Sequence, residues 1–382
     1  MHKPLPHRRI LLLSTVHSTT DPRIAAKITP SLQEHYEVYQ LLAGSPKEAL
    51  KHPQNRTDGT ASTARFHHLP YFQRLIWRLL FIHPLVLFKF LMIRPHIVQI
   101  FVAELLPLAF VFRWLGAEVI YEVQENLYKK LPLKSFNRGW IFERLFHYFD
   151  HRARRVFKFV FTEDAYLTEY QNLQKPYAIV HNFADPEWLS RPAPVPDRQQ
   201  PTFFYAGVIS GERAFDTLLS ALVTVKKKYP NVRLRLFGHV RIPEKKLTER
   251  TDYQQVKENL IFHGYAPQHE AFAYVPEALA GIALLKPVGD YADSYPTKLF
   301  DYMALGLPVI TSDLPLLRAV VEPHACGFCV SSYDAEQLAA CMMTCIQQPE
   351  VLKQMGKNGR KAIRETYNWQ KEAEKLLHLY RQ

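Results

Sequence analysis

Asp293-Ser-Tyr-Pro-Thr-Lys-Leu-Phe-Asp301 runs directly into Tyr302-Met-Ala-Leu-Gly306-Leu-Pro308-Val-Ile310, and this window sets the reading of the whole chain. Pro296, with its fixed φ and missing N–H, suits the first position of a helix; Ser294 or Tyr295 stands just outside it, and Gly306 marks the stop. The spacing predicts a helix over 296–305, then a strand from Pro308, which is one unit of an α/β fold. The free N–H groups and positive dipole end of such a helix attract an anion, and Lys298 adds a mobile charge suited to phosphate oxygens. Asp301 follows about one and a third turns along, where its carboxylate can accept from ribose hydroxyls, and Asp293 can meet a sugar ring. The same residues also fit a helix capped by Ser294 with a solvated Asp301, so both readings stand on spacing alone.

Outward from this window, short apolar runs alternate with amphipathic stretches, which predicts parallel sheets covered on both faces. Strands are predicted at 10–14, 36–41, 97–101, 118–121, 157–161 and 178–181, with helices over 24–33, 75–91 and 140–149. The second half repeats the rhythm with strands at 202–206, 232–237, 260–263, 281–285, 308–311 and 327–330. Phe215, Leu218, Leu219, Leu222 and Val225 mark one apolar helix face. Pro186, Pro192, Pro194, Pro196 and Pro201 make a stiff connector over 186–201, so the expected division is a first domain over 1–185 and a second over 202–365.

The 382 residues, 47% apolar and 22% charged, suit two domains of about 150–200 residues. Residues 1–190 hold 24 basic and 16 acidic side chains, +8 of the net +12, so a basic face on the first half could meet an anionic lipid surface. Nucleic acid is disfavoured, because no helix-turn-helix, RNP-type or zinc-finger pattern accompanies the charge. The apolar run from Trp77 to Ile93 is broken by Arg78, Pro84 and Lys89 and falls short of the ~20 residues a spanning helix needs. It reads as a core helix, or as an interfacial one with Arg74, Arg78, Lys89 and Arg94 at headgroups. Lys3, Arg8 and Arg9 precede a short apolar run, but no small-residue cleavage site follows, so the expected location is cytoplasmic, including the inner face of the cytoplasmic membrane. Cys326, Cys329, Cys341 and Cys345 read as small buried residues rather than as a zinc site or redox pair.

The window is similar to the E-x7-E region of retaining glycosyltransferases of the GT-B fold, family four (glycosyl transferases group 1), in the subgroup reading S-x-P-x-K-x-x-E-Y-x-A-x-G-x-P-V-I. Both acidic positions are Asp here. Asp21-Pro-Arg-Ile24, Val180-His-Asn-Phe183, Phe204-Tyr-Ala-Gly207, Gly211-Glu-Arg213, Leu236-Phe-Gly238, Phe262-His-Gly264 and Tyr367-Asn-Trp369 extend the resemblance, in order, over nearly the whole chain. It implies two Rossmann-like, doubly wound domains facing across a cleft, with a last segment, 366–382, crossing back to the first.

The resemblance also implies roles. Arg213 and Lys298 would clamp the donor's diphosphate, Asp301 would hold the ribose, and Gly207, His239, Tyr265, Ser294, Tyr295, Pro296 and Thr297 would complete the donor side. Asp293 and Gln124 would meet the transferred sugar, with His17, Asp21, Arg23, Glu125 and Asn126 on the acceptor side. Val208 stands where many relatives have a second Arg, the loop after the first strand lacks their glycine pair, and Gln124 replaces a His, so it hydrogen-bonds without titrating. Asp21-Pro22 serves equally well as a helix cap. The implied chemistry is sugar transfer from a nucleoside-diphosphate donor to a saccharide or lipid-linked hydroxyl, with retention, no cofactor and no protein metal site. A sugar-nucleotide epimerase and a degenerate saccharide-binding protein are the alternatives.

Overall fold

The computed structural model describes residues 8–44, 65–130, 140–197 and 199–382. The chain forms two compact units, one of residues 1–182 with 371–382 and one of residues 183–370.

The first unit is built on a seven-stranded parallel sheet of β1 (Arg9–Ser18), β2 (Glu37–Ala43), β3 (Arg65–Leu69), β4 (Ile97–Ile100), β5 (Glu118–Val123), β6 (Lys158–Phe161) and β7 (Tyr177–Ile179), in the order β3-β2-β1-β4-β5-β6-β7. Leu11 pairs across to Tyr39 on one side and Val98 on the other. The inner strands β4 and β6 are buried at every residue because both faces are covered. Edge strand β3 has no counterpart in the sequence reading, since Arg65-Phe-His-His-Leu69 is half-exposed and carries little alternation. The helix expected over 24–33 opens with a wider turn at Ile24–Ile28 before Thr29–Gln33, and the one expected over 140–149 runs on as Trp140–Val156. The last residues belong to this unit: the Tyr380 hydroxyl donates to Gln99 Oε1, and Lys158 Nζ donates to the Leu379 carbonyl at 3.2 Å.

The division falls at Asn182/Phe183, ahead of the proline-rich connector expected over 186–201. Phe183 and Trp188 are buried in the second unit's core, and the turn Pro186–Ser190 is capped by Asp185, which accepts from the Glu187 N–H at 2.9 Å.

The second unit carries a six-stranded parallel sheet of β8 (Thr202–Ala206), β9 (Arg233–Phe237), β10 (Leu260–Gly264), β11 (Ala280–Ala283), β12 (Val309–Ser312) and β13 (Gly327–Val330), ordered β10-β9-β8-β11-β12-β13. The order reverses between β8 and β11, which makes their carboxyl ends the switch point where such sheets bind ligands. The apolar face read on the helix Phe215–Lys228 is buried at all five positions. Between β11 and β12 runs the helix Thr297–Leu305, buried at every residue from Lys298 to Leu305 and closed by Gly306 at φ 73°. Pro296 stands just outside it with ψ 116°, one residue earlier than a proline in the first helical position. The four cysteines are free thiols of this unit, and burial pushes Cys326 up to about 12.

Close packing fixes the helix against the sheet. Its Tyr302 ring packs against Gly281 of β11, where a β-carbon would come within 2.3 Å of the ring, and the Tyr302 hydroxyl accepts from the Ala206 N–H at 2.8 Å. Gly281→Ala is therefore expected to cost about 1–3 kcal/mol by overpacking, measured by urea unfolding. A cost below about 0.5 kcal/mol would show that the helix can shift freely.

Candidate functional site

Gly207 closes β8 with φ +135°, and its carbonyl lies so close to Gly238, at the end of β9, that a β-carbon on Gly238 would stand 2.1 Å from it. These two glycines bring bare backbone to the switch point. A β-carbon at Gly207 would meet Arg213 Nη1 at 3.0 Å and Lys298 Nζ at 3.9 Å, so two cations from distant parts of the sequence converge on one backbone turn.

Arg213 is placed by the short turn Gly211–Arg213, which ends in Ala214 at a left-handed φ of 53°. That turn is tied to the strand end opposite: the Lys286 N–H donates to the Glu212 carbonyl at 2.8 Å, and Lys286 Nζ binds the Asp216 carboxylate at 2.7 and 2.9 Å. Lys286 and Asp216 are supporting residues that the sequence reading missed; their only signal is position, one just after β11 and the other opening the helix after Arg213.

Lys298 is 6% exposed, and among the described residues its ammonium has no hydrogen-bond partner. It stands 3.8 Å from the centre of the Tyr205 ring, a cation–π contact. Burial first, and the Arg213 charge second, push its pKa well below the ordinary lysine value. Burial likewise raises the Tyr205 hydroxyl to about 12, and that hydroxyl donates to the Val208 carbonyl at 2.6 Å. Two basic side chains converging on bare backbone at a helix start make a candidate anion site.

Asp301 is 4% exposed and accepts from Gln268 Nε2 at 2.8 Å. Gln268 opens the short helix after Tyr265 and holds the carboxylate in place; it too went unread, hidden in Ala266-Pro-Gln268 with no periodic signal. Asp293 ends the turn Tyr291–Asp293, partly buried, with its N–H donating to the Asp290 carbonyl at 3.1 Å. Ser294 does not cap the helix, because its hydroxyl donates back to the Asp290 carbonyl at 2.7 Å. Tyr295 packs edge-on against Phe183 and Phe300, so its ring serves the core. Thr297, the first helical residue, is exposed. His239 and Tyr265 stack with centroids 5.2 Å apart, Tyr265 being 65% exposed, and make an open aromatic platform beyond β9 and β10.

In the first unit, several expected acceptor contacts are engaged inside the fold. Arg23 Nε donates to Glu122 Oε1 at 2.7 Å and its Nη2 to the Val180 carbonyl at 2.8 Å, so Arg23 is a buried structural cation rather than an acceptor ligand. Glu122 is fully buried and also accepts from Gln99 at 2.6 Å and from Gln124 at 2.8 Å, which fixes the Gln124 amide at the end of β5. Asp21 takes the capping role, accepting from the Arg23 and Ile24 N–H groups at 3.0 and 2.9 Å. Asn126 is buried and donates to Glu169 at 3.0 Å. His17 Nδ1 lies 2.8 Å from Ser14 Oγ at the end of β1, and Glu125 is exposed. Among the described residues no group of three or more His, Cys, Asp or Glu could hold a metal ion.

Lys298→Met is expected to stabilise the ligand-free protein while weakening nucleoside-diphosphate binding. A lysine whose pKa falls on folding costs stability in full below its folded value; the cost shrinks as pH rises and ends above the unfolded value of about 10.4. The gain in melting temperature should therefore be largest toward neutral pH and close at alkaline pH. A variant less stable than the parent at pH 7 would show that Lys298 has a partner.

Residues 187–362 match the family model for glycosyl transferases group 1. A stretch of 79 residues is 32% identical to the MMP alpha-(1->4)-mannosyltransferase of Mycolicibacterium hassiacum, covering 20% of this chain and 19% of that relative's length. Similar solved structures are sucrose-phosphate synthase from Thermosynechococcus elongatus (TM-score 0.72, 16% identity, 98% of each chain) and the Anabaena protein HepE in complex with UDP-glucose (0.71, 12%, 98% and 99%). A third is WaaG, a glycosyltransferase involved in lipopolysaccharide biosynthesis (0.66, 14%, 96% and 98%). Residues 187–362 thus belong to the glycosyl transferases group 1 family, in a chain with the GT-B fold.

Proposed function

We propose that the protein transfers a sugar from a nucleoside-diphosphate sugar to a hydroxyl of a cell-envelope saccharide or lipid-linked glycan, with retention at the anomeric carbon. The observation that carries this reading is the buried, unpartnered Lys298 ammonium converging with Arg213 on Gly207. A diphosphate would supply the missing anion, held by the Arg213 fork, Lys298 and the N-terminus of the Thr297–Leu305 helix. The solved complex of HepE with UDP-glucose makes uridine diphosphate the first nucleotide to consider, and the involvement of WaaG in lipopolysaccharide biosynthesis supports an envelope acceptor.

In this mechanism the bond from the anomeric carbon to the diphosphate oxygen breaks and the acceptor oxygen attacks on the same face. The acceptor proton passes to the departing diphosphate, whose charge Arg213 and Lys298 neutralise. That neutralisation is our reason for proposing that no metal is required. Asp301, oriented by Gln268, would bind the ribose, and Asp293 would orient sugar hydroxyls.

Calorimetric titration with UDP, GDP, ADP and TDP in EDTA tests the reading. One diphosphate should bind, and Arg213→Ala should weaken it about 10- to 100-fold while leaving the nucleoside unchanged, since a hydrogen bond between charged groups is worth roughly 1.5–3 kcal/mol. Asp301→Ala should weaken nucleotide and nucleoside alike. Absence of binding by all four, or equal losses for diphosphate and nucleoside in Arg213→Ala, would remove the assignment.

A further inference from the structure

The first unit carries an apolar surface that the nucleotide site does not use. The helix Leu75–Ile93 has 19 residues and is long and apolar enough, by length and composition, to cross a membrane. Its fold argues against crossing. Ile82, Val86, Phe90 and Ile93 are buried in the core, Phe90 stacks on Phe112 at 4.4 Å, and Arg78 grips the Glu104 carboxylate at 2.8 and 2.7 Å. Arg78 is thus a core ion pair, not one of the headgroup contacts expected from the sequence.

The opposite side of this helix leaves Ile76, Leu80, Phe81, Phe88, Leu91 and Met92 exposed. Two neighbouring helices extend the surface. Leu106–Trp114 packs alongside through Phe112 and ends in Trp114, which is 83% exposed. Trp140–Val156 packs on Leu106–Trp114 through Phe110 and Phe149, with centroids 5.8 Å apart, and exposes Ile141, Leu145 and Tyr148 one helical turn after another. Large exposed apolar side chains gathered on three neighbouring helices mark an interaction surface.

Charge selects the occupant. Arg74, Arg113, Arg144, Arg152 and Arg155 are exposed on or beside these helices. The only acids within the three helices are Glu143 and Asp150, and Asp150 is buried against Arg154 at 2.7 Å. Apolar side chains among arginines match the boundary between acyl chains and phosphate headgroups. We propose that this face docks the first unit on an anionic lipid bilayer. The docking stands independently of the nucleotide site; its consequence, that the acceptor is presented by a lipid, rests on the transfer reaction proposed above.

The test is sedimentation of the full chain with phosphatidylcholine vesicles, with and without phosphatidylglycerol, while following tryptophan fluorescence for Trp77 and Trp114. Binding should need the anionic lipid, weaken as salt rises, and shift the emission to the blue. Leu80→Glu/Phe88→Glu and, separately, Arg113→Glu/Arg144→Glu should each lower vesicle affinity at least about tenfold. The second pair decides the matter should the first unfold. Lys298→Met should bind vesicles as the parent does, and a parent that binds vesicles but none of the nucleoside diphosphates would count against the transfer reading alone. Failure of the parent to bind either vesicle would overturn the proposal. So would a dimer in lipid-free solution that Leu80→Glu/Phe88→Glu dissociates, since the face would then join two copies of this chain.

Discussion

Lys298 sits in the interior of the second unit with the Tyr205 ring beside it, the Arg213 charge nearby and, among the described residues, no hydrogen-bond partner. A folded domain normally avoids such a group, because a buried cation without a partner opposes folding. The surrounding structure holds it in place. Tyr302 locks the Lys298 helix to β11 and to the end of β8, and the Lys286 contacts with Glu212 and Asp216 hold the Arg213 turn at the opposite strand end. Two basic side chains are therefore held on bare backbone, and the proposed diphosphate binding rests on that geometry.

Where the physics is periodic, the fold was legible in the sequence. Both sheets follow from apolar runs buried on two faces, and the helix after Gly207 followed from Phe215, Leu218, Leu219, Leu222 and Val225. Strand β3 was missed because an edge strand needs few apolar residues, and Arg65-Phe-His-His-Leu69 supplies few. The proline-rich stretch suggested a boundary at 186, yet Trp188 is buried and the units divide at Asn182/Phe183. Proline reports local stiffness, whereas a domain boundary depends on which core the flanking side chains enter.

The site was legible in proportion to how far it rests on motif spacing. Lys298, Arg213 and Gly207 were named from sequence, and the structure brings them together. Gln268, Lys286 and Asp216 act through long-range contacts that no spacing reveals. Arg23 shows the converse failure. A loop arginine after the first strand invites a ligand-binding role, but Glu122 is a fully buried carboxylate that needs a cation, and Arg23 is that cation. Glu122 also fixes the Gln124 amide, so the first unit's interior charge orients a residue at a strand end, where function is usually found in such folds.

The central claim is that Lys298, its pKa held well below the ordinary lysine value by burial and the Arg213 charge, is where a phosphate binds. The most direct measurement is the number of protons taken up when the nucleoside diphosphate binds at pH 8, obtained from calorimetric enthalpies in two buffers of different ionisation heat. Proton uptake on binding that is lost in Lys298→Met is expected from a lysine whose lowered pKa rises beside the diphosphate. Equal proton uptake by the parent and Lys298→Met would contradict it.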